Sequence, residues 1–480
     1  MKDAVPKSAA SGDMPAKGAI LSAGNLAKWS GGAWEASPSA AVTGLAFDSR
    51  TVKVGDLFAA LASDSADGHR FVEKALEAGA AGAIVRDDWP APRPGLPLLR
   101  VKDTLRAMHD IARGYRDAVD PFIVGVTGSV GKSTVKTWTA ALLASHFRTS
   151  CTVANFNNAI GLPVSLLGMD PDAEAGVFEV GMNHKGELAP LCRTLRPNAA
   201  VITAIGPVHI EFFPSVEAIA DEKAELLRAL PADGFAVLDA ASPYFPILKA
   251  ASRARVVTVK VADGRGASAE RGPAAADYEA RLIDEVTGSF ELTGKGIAAP
   301  LAIRTGHPGA HNVLNALYAI AVALECGVPL GKVVEKAASL PSMELRFDRR
   351  EIGGATWVND AYNASPLSMA ASLRTFAAVM PADSRRICVL GEMRELGAES
   401  RMRHDEIGRL VASLGGDVLV GVGEAGGWII DAAVASGFAG TPIRAADAND
   451  AGRLLRGIVH PGDSVLLKAS HGVGLFKLCP

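Results

Sequence analysis

The string Gly125-Val-Thr-Gly-Ser-Val-Gly-Lys-Ser-Thr134 follows the apolar run Phe122-Ile-Val124 and opens a helical pattern. A glycine-rich turn at a helix start presents backbone N–H groups and the positive end of the helix dipole to phosphates. In such a cradle Lys132 reaches β- and γ-oxygens and the Ser133 hydroxyl faces a metal ion. The string therefore predicts ATP binding through Gly128, Ser129, Val130, Gly131, Lys132, Ser133 and Thr134. A strand before the turn and a helix after it commit this part of the chain to a parallel α/β sheet. The spacing departs from the common form. Val126 stands where the first glycine of Gly-x-x-x-x-Gly-Lys-Ser belongs, and glycines fall at 125, 128 and 131.

At 480 residues the chain exceeds what one core organises, since domains run to roughly 100–200 residues. Alternating strand and helix patterns give an α/β protein of three domains. Residues 18–118 form a small mixed α/β domain, 119–342 a central parallel-sheet ATPase domain, and 343–480 a Rossmann-like domain without a Gly-x-Gly-x-x-Gly fingerprint. Residues 1–17 read as a mobile tail, and the Gly/Ala-rich stretch 262–276 as a flexible loop. A formal charge of −3 leaves no basic surplus, so nucleic acid is not an expected partner. No run approaches the 18 or so apolar residues of a membrane span, and the N-terminus lacks a signal-peptide core, which predicts a cytoplasmic protein. Five scattered cysteines, an odd count with no Cys-x-x-Cys, read as reduced thiols rather than a disulfide or zinc framework.

Several polar residues interrupt apolar patterns. Glu179 closes the strand Val177-Phe-Glu-Val180, where a buried carboxylate is costly unless a cation meets it. It is either a Mg²⁺ ligand beside the nucleotide or a partly exposed edge glutamate. His209 follows the next strand and should lie at the same sheet edge, as a metal ligand or an ordinary loop histidine. Lys223 falls on the apolar stripe of a helix expected over 215–230, with Val216, Ile219, Ala220, Leu227 and Leu230. Either its stem packs while the ammonium reaches water, or the amine works in the site, as itself or as a carbamate ligating a second Mg²⁺. His311, Asn312 and Asn315 stand polar near a helix start, open to a nucleotide or to a capping role. In Asn359-Asp-Ala-Tyr-Asn-Ala-Ser-Pro366, capping explains Ser365 and Pro366. It leaves Asp360, Tyr362 and Asn363 needing solvent or a ligand.

Taken in order, these strings resemble the Mur ligases of peptidoglycan synthesis over essentially the whole chain. The first domain carries Asp48-Ser-Arg50, Gly55-Asp-Leu-Phe58 and Asp67-Gly-His-Arg-Phe71. The central domain adds the phosphate loop, Asn155-Phe-Asn-Asn-Ala-Ile-Gly-Leu-Pro163, Glu179, His209, Lys223 and His311-Asn312. Asp360-x-Tyr-Asn-Ala and Leu390-Gly-Glu-Met-Arg-Glu-Leu-Gly397 favour the family member that adds D-alanyl-D-alanine, and the Asp-Asn-Pro-Arg string of the third-residue ligase is missing. In two departures, Ser365 replaces a more usual Asn, and Lys468-Ala-Ser-His471 stands where Lys-Gly-Ser-Arg is common.

The resemblance implies that ATP phosphorylates the carboxylate of UDP-N-acetylmuramoyl-tripeptide, and that the amine of D-alanyl-D-alanine attacks the acyl phosphate. It implies catalytic roles for Lys132, Glu179, His209, Lys223 and Arg346, with Arg346 at the γ-phosphate. Ser133, Glu179, His209 and carbamoylated Lys223 would hold two Mg²⁺ ions. Ser49 and Arg50 would hold the UDP handle, Asn157 and Asn158 would lie between handle and chemistry, Asp360 would contact the nucleotide, and Tyr362 and Asn363 the substrate. A monomer that closes its third domain over the second is expected. A sibling ligase, a folylpolyglutamate synthase and a nucleotide-driven switch are the competing readings.

Overall fold

Phe122–Thr127 is buried at every position, as expected of a parallel strand covered on both faces. It sits inside a nine-stranded sheet whose order is 301–304, 289–294, 278–284, 255–262, 235–239, 199–202, 122–127, 175–179, 149–151. The coordinates are a computed structural model and describe residues 16–62, 66–153, 155–262 and 276–479. Residues 263–275 of the expected loop and most of the expected tail therefore lie outside the described residues, while Ala262 closes the strand Arg255–Ala262. Lys17, assigned to that tail, opens the short helix Lys17–Ile20, and its Nζ donates to the Met169 carbonyl.

The expectation of a parallel central sheet is corrected in part. Strands from 149–151 to 278–284 pair in parallel, but Ser289–Gly294 and Leu301–Arg304 add antiparallel pairs at one edge. The strand that precedes His209 is Ala199–Ile202. The single helix expected over 215–230 is two segments, Val216–Lys223, capped by Ser215, and Glu225–Arg228, which meet at Ala224.

Before this sheet lies a five-stranded one, ordered 33–34, 98–101, 82–86, 56–59, 44–46, parallel except for the first pair. Helix Thr104–Val119 joins it to the central sheet. The Arg116 guanidinium donates to the carbonyls of Leu195 and Arg196, and Tyr115 Oη donates to the Met169 carbonyl. After the central sheet lies a six-stranded one, ordered 348–352, 355–359, 464–468, 386–390, 418–422, 441–445. Its first pair is antiparallel and the rest parallel. The last strand of the chain inserts between 355–359 and 386–390, so this Rossmann-like sheet has its topological switch there. Ligand crevices form beyond the C-terminal ends of strands at such a point. One apolar cluster, including Leu26, Tyr115, Ile202, Phe376 and Leu466, runs through all three sheets' packing layers.

Candidate active site

Two glycines give the phosphate loop its shape. Gly131 has φ 91° and immediately precedes helix Lys132–Leu143, whose N-terminal N–H groups are thereby free to face a ligand. At Gly128, with φ 151°, a Cβ would collide with Thr203 Oγ1. That hydroxyl instead donates to the Val130 carbonyl at 2.6 Å, and Ser129 Oγ donates to the Gly206 carbonyl at 3.0 Å. The loop is thus tied to the segment leading to His209.

Beyond it opens a cavity of about 540 Å³. Ser129 to Thr134, Glu179, Asn157, His311, Asn312 and Asn315 line it from the central module, and Asp360, Tyr362, Asn363 and Lys468 from the third. Glu179 is 2% exposed. Its carboxylate accepts from Ser133 Oγ at 2.8 Å and from Asn157 Nδ2 at 2.7 Å, which rules out the edge-glutamate alternative. Arg346, in the link between modules, donates from Nη2 to Ser133 Oγ at 3.1 Å and lies 4.3 Å over the Tyr362 ring. Leu345 and Phe347 on either side of it have φ 58° and 55°, a left-handed backbone that aims the guanidinium at the loop. Lys132 Nζ donates to the Gly128 carbonyl, and burial lowers its pKa against the opposing pull of Glu179. Trp138, Leu314 and Tyr318 add apolar and aromatic surface to the cavity's lining, as suits a purine ring.

His209 and Lys223 lie outside this cavity's lining. Both still couple electrostatically to Lys132, and Lys223 also to Glu179. His209 adopts φ 60° and pairs through Nδ1 with Glu395 of the third module; burial lowers its pKa, and the Glu395 charge opposes the shift. Lys223 is buried, 2% exposed. It makes no hydrogen bond among the described residues, and burial holds its pKa well below the usual lysine value, with Lys132 adding to the shift.

Asn312 Nδ2 donates to the Pro308 carbonyl and Asn315 Nδ2 to Asn312 Oδ1, while Gly309, not Asn312, occupies the helix-start position. Burial pushes the His311 imidazole down to about 4. Asp360 pairs with Lys468 at 2.7 Å, and Lys468 Nζ also donates to the carbonyls of Asp360 and Asn363. Sequence reasoning gave Lys468 no role. The signal was the one that exposed Glu179, a charge closing an apolar strand at its C-terminal end.

Ser49, Arg50 and Asn158 are not brought to the cavity. Arg50 is exposed and paired with Asp48 at 2.6 Å. Asn158 Oδ1 accepts from the N–H groups of Ile160 and Gly161, at the start of helix Gly161–Leu167. Phe47, just before Asp48, does meet Phe156 edge-on at 6.4 Å, so the loop carrying Ser49 and Arg50 adjoins the one carrying Asn157. Among the described residues no group of three His, Cys, Asp or Glu is placed to hold a metal. The cysteines are free, with Cys192, Cys326 and Cys388 buried.

Fold and site together define a phosphate-loop nucleotide-binding enzyme whose cavity is completed by a second α/β module. The Mur ligase family catalytic domain matches residues 41–116, the Mur ligase middle domain 126–323, and the Mur ligase glutamate ligase domain 345–471. A UDP-N-acetylmuramoyl-tripeptide–D-alanyl-D-alanine ligase of Bacillus subtilis is 32% identical over 91% of this chain and 92% of its own. Among solved structures, MurF from Acinetobacter baumannii superposes with a TM-score of 0.84 at 26% identity, covering 95% of this chain and 97% of its own. MurF ligase from Thermotoga maritima, in complex with ADP, gives 0.77 at 25% identity over 91% and 96%. The chain belongs to the Mur ligase family.

Proposed function

We propose that the protein is an ATP-dependent amide ligase that adds D-alanyl-D-alanine to UDP-N-acetylmuramoyl-tripeptide through an acyl phosphate, giving the pentapeptide precursor of peptidoglycan. One observation carries the reading. The phosphate loop faces a wall made by the third module, with Asp360, Tyr362, Asn363 and Lys468, an arrangement that a ligase needs to bring an acceptor to an activated carboxylate. A switch has no use for it. The enzyme name borne by the Bacillus relative over nine tenths of the chain supports these substrates over those of a sibling ligase. The ADP in the Thermotoga structure supports the nucleotide.

Phosphorylating a carboxylate brings two anions together, so positive charge must be in place beforehand. Lys132 and Arg346 supply it from either side of Ser133. Asn157 holds the Glu179 carboxylate in place, and Asp360 fixes Lys468 against the cavity wall. Mg²⁺ takes oxygen ligands at about 2.0–2.1 Å in an octahedron, so neighbouring oxygens lie about 2.9 Å apart. Ser133 Oγ and Glu179 Oε2, two oxygen donors side by side at the phosphate loop, would hold one such ion. His209 and a carbamoylated Lys223 would hold a second, as the resemblance implies. The buried Lys223 amine, without a hydrogen bond among the described residues and disfavoured as a cation, supports that modification. Bound Mg²⁺ would neutralise phosphate charge as a Lewis acid.

Ser49 and Arg50, with Asn158 beside Asn157, hold the UDP-linked substrate at the first module, whose handle binding positions the peptide carboxylate. The modules extend over residues 18–118, 119–342 and 343–480, and the protein works as a cytoplasmic monomer. Incubation with ATP, the UDP-tripeptide and D-alanyl-D-alanine should release ADP only when the dipeptide is present. It should also yield a product heavier by one dipeptide less water. ADP release independent of the dipeptide would favour a switch.

A further inference from the structure

Helix Lys132–Leu143 carries a second lysine one turn beyond Lys132, on the same side of the helix, and the phosphate chemistry gives it no part. Lys136 is 5% exposed, and its helix neighbours Val135, Trp138, Thr139 and Ala140 are buried as well. Lysine is rarely buried, because its amine must then find acceptors inside the protein. A methionine would fill the same space without that desolvation cost, which offsets much of what a hydrogen bond from the amine returns to stability. The fold alone does not ask for a lysine here.

What the amine holds is the start of the loop that carries Asn155, Asn157 and Asn158. Lys136 Nζ donates at 3.1 Å to the carbonyl of Thr152, where strand Thr149–Cys151 gives way to that loop. Thr152 is 2% exposed. Its N–H donates to the Val177 carbonyl at 3.1 Å, and its hydroxyl accepts from the Glu179 N–H at 2.9 Å. The pairing of the edge strand thus continues to the residue that closes strand Ala175–Glu179. Glu179 is gripped at two points, its main chain by Thr152 and its carboxylate by Ser133 and Asn157. Asn157 lies further along the same loop, and its carbonyl accepts from the Gly181 N–H at 2.9 Å. The contacts close a circuit: from Lys136 to Thr152, on to Glu179, and through Ser133 back to the helix that carries Lys136.

We propose that Lys136 is a positioning residue of the reaction, an assignment that rests on the ligase reading above. It fixes Thr152, and through Thr152 it keeps Glu179 and the loop bearing Asn157 in register with the phosphate loop. Asn157 and Glu179 both line the nucleotide cavity, so a shift of Thr152 displaces groups that face the reacting centre. The phosphate-loop N–H groups and the Lys132 amine stand outside the circuit. Loss of Lys136 therefore slows the transfer and spares nucleotide binding.

The test uses the full chain with ATP, the UDP-tripeptide and D-alanyl-D-alanine, and follows kcat, each KM and the urea unfolding midpoint together. Lys136→Met should keep the KM for ATP within about twofold and lower kcat by roughly ten- to hundredfold, the range for misplacing a group at the reacting centre. Its midpoint should stay near wild type. Lys136→Gln, which restores an N–H donor, should recover part of the loss. Thr152→Val removes the hydroxyl at nearly constant volume and should lower kcat in the same way. Because both residues act through one circuit, the double variant should be no slower than the slower single one. Lys136→Gln and Thr152→Val decide the matter if Lys136→Met does not fold. Wild-type kcat in Lys136→Met or Thr152→Val overturns the assignment, as do additive losses in the double variant or lost activity that merely tracks a loss of folded enzyme. If wild type itself forms no product, the ligase reading fails instead.

Discussion

Lys223 is 2% exposed, lies beside another lysine and makes no hydrogen bond among the described residues, and the Glu222 and Glu179 charges offset only part of its desolvation cost. If it carries a carbamate, Lys223→Ala should lose most activity and regain part of it with added acetate or formate; full activity in the variant would dismiss the modification. Lys132→Ala should abolish turnover while its unfolding midpoint stays close to wild type, a combination that denaturant titration beside the activity assay will show. A third residue, His404, makes a pH prediction. Burial depresses its pKa, with the Ser400 carbonyl that accepts from Nδ1 opposing the shift, and the neutral ring accepts from Met393 N–H at Nε2. The unfolded chain therefore takes up the proton first as pH falls. This stabilisation is complete above about 6.5 and is lost as pH drops toward the depressed value. The stability gap between wild type and His404→Gln should accordingly be widest above pH 7 and shrink toward pH 5. Glu179 was legible because a charge inside an apolar strand needs a partner. Glu395 was not, because it sits in a loop with no periodicity to violate, and its partner lies 186 positions away.

Helices and buried strands were readable where burial imposes a pattern. Phe122–Thr127 and Val418–Val422 are apolar runs buried throughout, and Pro366–Val379 begins as its Ser-Pro start foretold. Ser365 accepts from Ser368 N–H, and Ser368 Oγ accepts from Ser365 N–H, a reciprocal cap. Ser365→Ala should therefore cost about 1 kcal/mol in urea unfolding; an unchanged midpoint would mean that the cap is redundant. The elements that escaped include edge strands. Asp348–Ile352 reads Asp-Arg-Arg-Glu-Ile, Thr441–Ala445 is mostly exposed, and Leu301–Arg304 buries only Ile303 fully. Charge on an edge protects a sheet from pairing with other chains, and it also erases the alternation by which a strand is recognised.

At the scale of the whole molecule, three sheets form because no single core spans 480 residues, yet one apolar cluster threads their packing layers. What the sequence left open is how the modules meet. Arg346 to Ser133 and His209 to Glu395 join positions 213 and 186 residues apart, and no local pattern encodes either pair. The Arg346 contact places a cation from the inter-module link on the phosphate loop, where a carboxylate would become an acyl phosphate. Transfer of isotopic oxygen reads that event directly. With the tripeptide carboxylate labelled by ¹⁸O, each turnover with ATP and D-alanyl-D-alanine should yield inorganic phosphate carrying one heavy oxygen, in step with ADP and the longer peptide. Product formed alongside unlabelled phosphate would contradict the account.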